Sequence, residues 1–536
     1  MRISILLAVI ILIGFVAVRL FGASTTPSPA PLGPPLFEDV TAASGVAHSY
    51  EGGFTFFVGG GVAVFDCNAD RLPDFFLAGG SSSSALYRNS TGADGAIRFV
   101  SLPSLELTGV TGAYPLDVDS DGITDLSILR VGENIMMRGL GNCEFEPANA
   151  HWGIDSGDDW TVGFSATWEN GNNLPTLAFG NYLALDENGQ QFGGCADHRM
   201  LRPTGVNGTY ADPIVISPGY CSLSMLFSDW NRSNARDLRI SNDRHYYRQG
   251  EEQLLKVIPG EAPQPYTREE GWQFVQIEGM GIASHDVTGD GMPEIFLTSM
   301  ADNKLQRLTP GAKGPSYGDI AFESGVTAHR PHAGPEILPS TAWHPEFQDV
   351  NNDGLIDLFI SKGNVDATAG FAMEDPNNLL LGQPDGRFVE NADVAGILDF
   401  EKSRGAALVD LNLDGKLDLV YVNREAPARV WQNAGDGVGN WLAINLAQDG
   451  SNRDAIGSWV EVRIGERIQS RELTIGGGHA GGQLGWMHFG LGFDDGARVR
   501  VQWPDGELGD WIPLEANQYA TIERESNEAL VWKPAS

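Results

Sequence analysis

Positively charged residues are scarce in this sequence of 536 residues. Lysine and arginine total 35 against 70 aspartates and glutamates, which gives a formal net charge of −35. Nucleic acids and anionic membrane surfaces are negatively charged themselves and repel such a protein. The composition therefore excludes DNA and RNA as partners. It favours the binding of divalent cations by the acidic groups.

Known catalytic and nucleotide-binding motifs are also missing. The sequence has no G-x-S-x-G, Walker, H-E-x-x-H or Rossmann motif at a suitable place. No long stretch shows helical periodicity, whereas 67 glycines and 29 prolines are typical of a protein with many turns. These absences favour an all-β protein without a recognisable catalytic site.

Cysteine is rare, with four residues that allow three pairings: Cys67, Cys143, Cys195 and Cys221. None of the four has the spacing of zinc ligands. Cys195 and Cys221 flank one segment rich in turn residues, and we predict a disulfide between them. Cys67 is expected to be a small buried thiol beside a strand.

Beyond the N-terminus, the chain has no long apolar run. The run Ile3–Val18 lies between Arg2 and Arg19 and is shorter than the ~20 residues of a usual membrane-spanning helix. We predict a signal peptide over residues 1–23, followed by a Pro-rich linker over 24–36. Phe21 is too large for a good cleavage site, so an uncleaved signal anchor is the alternative. Both interpretations place the rest of the chain outside the cytoplasm, as a periplasmic, cell-surface or secreted protein.

An acid-rich nonamer recurs between residues 60 and 420. Its pattern is acid, any residue, Asp or Asn, any residue, Asp, usually Gly, two residues, acid. Five good copies begin at Asp66, Asp117, Asp286, Asp349 and Asp410, and decayed copies begin at Trp168 and Asp229. Short β-rich runs flank each copy, and a period of about 50 to 60 residues is typical of propeller blades. We therefore predict a seven-bladed β-propeller over residues 37–438.

The spacing of the nonamer is suited to calcium. Ca²⁺ takes six to eight oxygen ligands, and alternate residues of a tight loop can direct several oxygens at one centre. The residue at position seven would contribute its backbone carbonyl. The predicted metal ligands are Asp66, Asn68, Asp70 and Asp74; Asp117, Asp119, Asp121, Ile123 and Asp125; Asp286, Thr288, Asp290, Met292 and Glu294; Asp349, Asn351, Asp353, Leu355 and Asp357; and Asp410, Asn412, Asp414, Lys416 and Asp418.

Solvated acidic turns are the alternative, since Asp, Asn and Gly are common turn residues. Crowding several carboxylates into one small loop is unfavourable without a cation, and five copies repeat that arrangement. We therefore predict about five structural Ca²⁺ sites. The first copy departs most from the pattern, because Arg71 replaces the usual glycine.

The loops resemble the FG-GAP or VCBS repeats of integrin α-chain propellers. The tail sequences GNWLAINL at 439–446, NRDAIGSWVEV, GGGHAGGQLGWMHFGLG and VQWPDG resemble the ASPIC/UnbV domain. A propeller of such repeats followed by that domain is the layout of the cartilage acidic protein family and its bacterial members. The opening FEDVTAASGV at 37–46 also resembles the start of these proteins, so the likeness covers nearly all of residues 37–524.

This resemblance implies a calcium-binding extracellular module with adhesion or matrix roles and no established catalytic residue. The alternation of apolar and polar residues in WVEVRI and ARVRVQW predicts half-buried strands. We therefore assign residues 439–524 to an ASPIC/UnbV-like β-domain and residues 525–536 to a C-terminal tail. The predicted function is binding, adhesion or display toward an extracellular protein or glycan. A membrane would be contacted only through an N-terminal anchor.

Histidines provide an alternative hypothesis. His329, His332 and His344 lie within sixteen residues, and imidazoles serve as metal ligands and general bases. An extracytoplasmic hydrolase or lyase acting on polysaccharides could place such a site at the propeller channel. His479, Trp486 and His488 are a second candidate patch. Packing in loops and core is the simpler interpretation of both groups, and we predict no catalytic residue.

Overall fold

The computed structural model describes residues 32–92, 95–169, 171–186, 191–204, 208–243, 250–526 and 528–534, with backbone only for 191–193. The predicted targeting segment and most of the linker, residues 1–31, lie outside the described residues. Short runs of apolar and β-branched residues form nearly all the regular structure. Among the residues described, three single-turn α-helices occur at Thr41–Ser44 (α1), Asn149–Trp152 (α2) and Ala321–Ser324 (α3), and two 3₁₀ turns at Phe54–Phe56 and Pro103–Leu105.

Seven four-stranded sheets, here named sheets 1 to 7, follow one another along the described chain. Strand β1 is Phe37–Asp39. The strands that follow, in chain order, are β2–β5 (Val62–Phe65, Asp74–Leu77, Ala85–Asn89, Phe99–Leu102), β6–β9 (Val110–Leu116, Asp125–Arg130, Ile135–Gly141, Glu144–Pro147), β10–β15 (Thr161–Thr167, Thr176–Asn181, Leu183–Leu185, Gln191–Cys195, His198–Leu201, Ile214–Ile216), β16–β19 (Ser222–Ser228, Asp237–Asn242, Gln253–Lys256, Gln264–Pro265), β20–β23 (Gly279–His285, Glu294–Ser299, Lys304–Leu308, Tyr317–Asp319), β24–β27 (Ala342–Gln348, Asp357–Lys362, Asn378–Gly382, Phe388–Glu390) and β28–β30 (Lys402–Val409, Asp418–Arg424, Arg429–Asn433).

Each of these sheets is an antiparallel meander, and the chain start completes the last one. Sheet 3 uses β10, β11, β14 and β15, while β12 and β13 form a separate hairpin; sheet 7 has the order β1-β30-β29-β28. Phe37 pairs with Asn433, so the first strand closes the ring onto the last sheet. The first strand of each sheet contacts that of the next, and β28 contacts β2. The predicted all-β propeller fold is confirmed.

Every copy of the nonamer, intact or decayed, is the turn between the first and second strands of a sheet. In sheet 2, for example, β6 ends at Leu116 and β7 begins at Asp125, the last residue of the motif. We name these turns loops 1 to 7, with first residues at 66, 117, 168, 229, 286, 349 and 410. All seven turns therefore lie at the same end of their strands.

The C-terminal region folds into two further sheets. Its strands β31–β38 are Asn440–Ala447, Trp459–Ile464, Arg467–Glu472, Met487–Gly492, Gly496–Gln502, Ile512–Glu515, Gln518–Glu523 and Glu528–Trp532. The sheet orders are β34-β31-β37-β38 and β33-β32-β35-β36. Strand β38 lies in the segment that the sequence analysis assigned to the tail, so the regular structure extends beyond 524.

A glycine-rich segment of the C-terminal domain, residues 475–484, runs along the inner strands of the propeller. It forms backbone bridges with β2 at Val64, β6 at Ala113, β10 at Ala166, β16 at Leu226 and β20 at Ile282. The approach requires glycine, because a Cβ on Gly481 would lie 2.1 Å from the Val62 carbonyl oxygen. We call residues 475–484 the channel segment.

The propeller and the C-terminal domain also share a hydrophobic cluster. It includes Tyr114 and Phe164 from sheets 2 and 3 together with Leu442, Val460 and Phe489 from the C-terminal sheets. Burial of such side chains contributes roughly 1.5–3 kcal/mol each. The two regions therefore stabilise each other as one unit.

Two disulfides cross-link the described chain. Cys195 is bonded to Cys221, as predicted, and Cys67 is bonded to Cys143. The expectation that Cys67 is a free thiol is therefore wrong, because loop 1 lies against the turn between β8 and β9. Disulfides persist in oxidising compartments, so both bonds favour an extracytoplasmic location. None of the helices in the described part of the chain has the length and apolar character needed to span a bilayer.

Candidate metal loops and the domain that covers them

The first acid of each intact loop holds the turn through backbone hydrogen bonds. In loop 2, the N–H groups of Asp121 and Gly122 donate to the two carboxylate oxygens of Asp117 at 3.1 and 2.9 Å. The corresponding acids of loops 1, 6 and 7 accept the same two bonds. Asp286 of loop 5 accepts a bond from Gly291 at 3.0 Å. These bonds are local, so the turn geometry follows from the loop's own sequence.

The last acid of the motif connects the loop to its sheet. Asp125 accepts the N–H of Val118 at 2.7 Å and that of Gly139 on β8 at 2.8 Å. Asp74, Asp357 and Asp418 repeat this pairing with the second loop residue and the third strand. Glu294 instead accepts Val287, Thr288 and the Thr288 hydroxyl. A carboxylate oxygen with one such bond still has a lone pair for a metal ion.

Burial raises the pKa of these acids, because desolvation disfavours the charged carboxylate. Burial raises the pKa of Asp117 to about 7 and that of Asp125 to about 8, and the other loop acids add to the rise. The pKa values of Asp74 and Glu294 rise to about 7, mainly through burial. A bound cation would relieve this cost by compensating the charge.

Several loop oxygens lack a hydrogen-bond partner, which is what metal ligands require. Buried, unpartnered oxygens are Asn68 Oδ1, Asp119 Oδ1 and Asp286 Oδ1. Asp117, Asp119 and Asp125 bring one carboxylate oxygen each within 4.8 Å of one another. The residues present in loop 2 therefore fit a hard cation with oxygen ligands.

The middle positions of the loops already form an internal network. The side-chain amides of Asn68, Asn351 and Asn412 donate to the aspartate two residues later, and Thr288 donates to Glu294. The N–H groups of Ile123, Met292, Leu355 and Lys416 donate to the aspartates that precede them by two residues. The predicted ligands are thus neighbours in each loop, although loops 1, 5, 6 and 7 do not show the close carboxylate triad of loop 2.

Two arginines that were not predicted as site residues contact the acids of loops 2 and 5. Arg138 donates to Asp119 at 2.7 Å and to Asp121 at 2.6 Å, and Arg307 donates to Asp290 at 2.7 Å. In both sheets the arginine follows the bonded aspartate at position five by 17 residues, on the third strand. This shared spacing of 17 residues is the sequence pattern from which the two contacts could have been predicted. These guanidinium groups supply positive charge at two of the loops.

The decayed loops replace acids with other partners. In loop 3, Glu169 accepts bonds from Thr176 and Arg202, both at 2.6 Å. In loop 4, Asp229 accepts Ser233 and Asn234 N–H groups as in the intact loops. The turn is therefore retained where the surplus of carboxylates is lost.

The C-terminal domain covers the end of the propeller that carries the loops. Tyr519 donates to Asp410 of loop 7, and the Asn452 N–H donates to Ser120 of loop 2 at 2.9 Å. His488 Nε2 lies 2.6 Å from Asn352 Oδ1 of loop 6, and Arg232 of loop 4 donates to Glu461 at 2.9 Å. Loops 2, 4, 6 and 7 therefore form part of an interface within the chain.

The three histidines of the enzyme hypothesis do not converge. His329 contacts Asp302, whereas His332 Nδ1 lies 3.2 Å from Asn378 Nδ2 and 3.6 Å from Glu390. His344 is buried beside the channel segment and accepts the His479 N–H at Nδ1, 3.1 Å away. Each ring has its own partners, so the cluster does not form a single site.

The second histidine patch also separates. His479 is fully buried in the channel, where it accepts the Gly59 N–H at 3.2 Å and stacks edge-on against Trp343. Burial lowers the pKa values of His479 and His488 to about 3, so both rings are neutral. Trp486 lies near loop 1 and donates to the Arg71 carbonyl at 3.4 Å. These residues join the two domains.

Two family models match parts of the chain. The FG-GAP-like repeat matches residues 349–421, and the ASPIC and UnbV model matches residues 448–529. The first match covers loops 6 and 7, and the second covers most of the C-terminal domain with the channel segment. Neither model describes an enzyme.

Curated relatives and a solved structure are similar to parts of the chain. Cartilage acidic protein 1 of Mus musculus is 30% identical over 164 residues, and the Homo sapiens protein is 29% identical over 164 residues. The aligned part is 28% of this chain and 22% of each relative, so the match spans about a fifth of each relative's length. A crystal structure of BBS1N in complex with ARL6DN covers 76% of this chain and 99% of that chain, with 9% identity and a TM-score of 0.42. Both domain models and these relatives match parts of the chain, which confirms the predicted resemblance to the cartilage acidic protein family.

Proposed function

We propose that this protein is a calcium-stiffened extracytoplasmic propeller that serves as a binding or adhesion module for a protein or glycan partner. The buried, unpartnered Asp286 Oδ1 carries the calcium part of the proposal. Asp286 is 6% exposed, and burial raises the pKa of its carboxyl group to about 6. A divalent cation would satisfy this oxygen and remove the desolvation cost together.

In this proposal, each intact loop would hold one ion through the acids at positions one, five and nine and the side-chain oxygen at position three. The ion would supply positive charge and fix the turn between the first two strands of its sheet. On metal binding, Asp119 and Asp121 would release Arg138 and ligate the ion. Asp290 would likewise release Arg307 and ligate the ion in loop 5. Five loops stiffened in this way would give the propeller a rigid frame for partner binding elsewhere on its surface.

The channel segment bears on where a partner would bind. Because residues 475–484 pair with the inner strands of five sheets, the propeller axis is occupied by the protein's own chain. Binding is therefore expected on the outer surfaces and on the C-terminal domain. The polysaccharide-active enzyme hypothesis has lost its sequence support, since His329, His332 and His344 contact different partners.

Metal analysis combined with an array tests the proposal. Purified protein is analysed for calcium by mass spectrometry and then applied to glycan and peptide arrays with calcium or with EGTA. We expect several equivalents of calcium and array binding that weakens in EGTA. Protein that contains no calcium and binds no metal on titration would contradict the calcium role. Hydrolysis of an array glycan would contradict the binding role.

A further inference from the structure

The exposed face of sheet β33-β32-β35-β36 carries a pair of arginines opposite each other. Arg463 on β32 is the direct cross-strand partner of Arg498 on β35. Like charges in this arrangement destabilise a sheet. In a chain with twice as many acidic as basic residues, carboxylate partners are abundant, yet neither arginine forms an ion pair within the described residues. The neighbouring pair on the same strands is different, because Arg500 is bonded to its partner Glu461 at 2.9 Å.

The indole ring of Trp511 stacks with two arginines of this face, Arg463 and Arg500. The guanidinium carbons of Arg463 and Arg500 lie 4.2 and 4.4 Å from the ring centroid of Trp511. Such stacking orients a guanidinium while its N–H groups stay free for an oxygen acceptor. Arg463 is therefore pre-oriented, which lowers the entropy lost when a ligand binds.

The two unpaired arginines line an open groove of about 450 Å³. Its other lining residues are Gly465, Gly496, Ala497, Pro513 and Leu514. The floor is thus apolar, while its walls carry two positive charges. A ligand that fits has an anionic group beside a flat face of C–H groups.

We propose that Arg463, Arg498 and Trp511 form a binding site for an anionic sugar unit, carrying a sulfate or a carboxylate. Arginine's planar fork matches both groups, and the C–H face of a sugar ring can pack on the exposed ring of Pro513. The net charge of −35 disfavours an extended polyanion lying across the rest of the surface. The site therefore selects a short anionic stretch of a saccharide. This inference rests on the proposed binding role and gives it a ligand class and a location outside the calcium loops.

Binding to immobilised polysaccharides tests the site. The probes are dextran sulfate and polygalacturonate, with neutral dextran as the uncharged control and poly-L-glutamate as the acidic polypeptide. We expect the wild-type chain to bind a charged polysaccharide and not neutral dextran, with affinity that falls as salt rises. Arg498→Gln and Arg463→Gln should each weaken binding about tenfold or more, as expected for a lost charge-assisted bond of ~1.4 kcal/mol or more.

Arg387→Gln is the matched control, because it removes the same charge from an exposed position between β26 and β27. It should bind like the wild type, and none of the three variants should lower the melting temperature. The proposal is overturned if neither charged polysaccharide binds, if neutral dextran binds equally, or if Arg387→Gln weakens binding as much as Arg498→Gln. Equal binding of poly-L-glutamate through the same arginines would identify an acidic protein segment as the ligand and overturn the sugar assignment.

These outcomes are separable from those of the calcium proposal. If EGTA leaves the melting temperature unchanged while Arg498→Gln abolishes dextran sulfate binding, the calcium role fails and the sugar site stands. If EGTA destabilises the protein while the arginine variants bind like the wild type, the sugar site fails and the calcium role stands.

Discussion

Loops 4 and 6 have the same backbone turn and a different balance of charge. In loop 4, Asp229 accepts the N–H groups of Ser233 and Asn234 at 2.7 and 2.8 Å. In loop 6, Asp349 accepts those of Asp353 and Gly354 at 3.1 and 2.6 Å. The turn therefore forms from one capping carboxylate and does not by itself require a metal.

What differs is how the remaining charge is compensated. Arg232 and Arg236 lie near Asp229 and act to lower its pKa, although burial still raises the pKa overall. In loop 6, burial and the neighbouring acids raise the pKa values of Asp349 and Asp357 well above the usual range. Loop 4 supplies two arginines of its own. Loop 6 has a surplus of buried carboxylates, which Arg467 on β33 opposes without offsetting the rise in pKa. In the calcium proposal, the surplus of buried carboxylates, and not the turn, is what a bound cation would compensate.

The largest expected effect is that of chelation. Each site that binds only the folded state contributes roughly 2.7 kcal/mol at a calcium concentration of 100 times Kd. We therefore expect excess EGTA to lower the melting temperature strongly, with recovery when calcium is restored, as measured by calorimetry. Identical melting curves with calcium and with EGTA would show that loop 6, like loop 4, is stable without a bound cation.

The calcium-free protein should also respond to pH in a defined direction. Because burial raises the pKa values of Asp117 and Asp125 to about 7 and 8, the folded state binds protons more tightly than the unfolded chain between pH 4 and 8. In EGTA, stability should therefore be greatest near pH 4–5 and decrease as the pH rises toward 8. With calcium bound, this loss should disappear. Urea denaturation at a series of pH values checks both statements.

One disulfide lies at an intact loop and the other lies near the decayed loops, so their contributions to stability can be compared. Cys67 of loop 1 and Cys143 are separated by 76 residues, whereas Cys195 and Cys221, near sheets 3 and 4, are separated by 26. The chain-entropy relation gives ~4.5 and ~3.6 kcal/mol for loops of these lengths. Replacing both Cys67 and Cys143 by Ala should therefore destabilise slightly more than replacing the other pair. A smaller loss for the Cys67 pair, in calorimetry of both double variants, would contradict this order.

A matched pair of substitutions at position five sharpens the comparison of loops 4 and 6. Asp353→Ala removes a proposed metal ligand, and Ser233→Ala is the same position in loop 4. We expect Asp353→Ala to cost about 1–3 kcal/mol in calcium, because a charged ligand and its bonds to Leu355 and Asn351 are lost. Ser233→Ala should stay within about 0.5 kcal/mol. The decisive readout is whether the Asp353→Ala loss shrinks in EGTA; an equal loss with and without calcium would identify a structural role alone.

The smallest effect is expected where an arginine already compensates the acids. Arg138 is partly exposed, and such ion pairs contribute about 0.2–1 kcal/mol. Arg138→Gln should therefore leave Asp119 and Asp121 free and tighten calcium binding at loop 2 by up to about fivefold, as seen by calorimetric titration. Weaker calcium binding in this variant would mean that Arg138 orients the ligands and does not compete with the metal.

Much of the fold could be predicted because it depends on local patterns. The nonamer places its first acid within hydrogen-bond reach of N–H groups four and five residues later, so this acid identifies the turn in six of the seven sheets. Loop 3 begins with Trp168 and is identified by its spacing and by the strand that follows. Alternation in WVEVRI likewise predicts β32, where Val460, Val462 and Ile464 are buried and Arg463 is partly exposed. These features need only the residue order and the strand period of two.

Long-range contacts decided the rest. The Cys67–Cys143 bond joins residues of different sheets, and Arg138 and Arg307 reach the loops from third strands whose register no short motif encodes. His329, His332 and His344 are close in sequence, but β24 carries His344 into the channel while the other two stay in the preceding segment. The sequence predicts packing in loops and core around His479, and only the pairing of residues 475–484 with the inner strands of five sheets makes this segment a channel segment.

The sequence by itself determined the seven turns, the strand-rich class and the acid spacing, because hydrogen bonds within nine residues and side-chain alternation specify them. Tertiary structure decided which acids are buried together, which cations compensate them and which arginines remain unpaired. The physical reason is that desolvation and charge compensation depend on groups that are distant along the chain and adjacent only after folding.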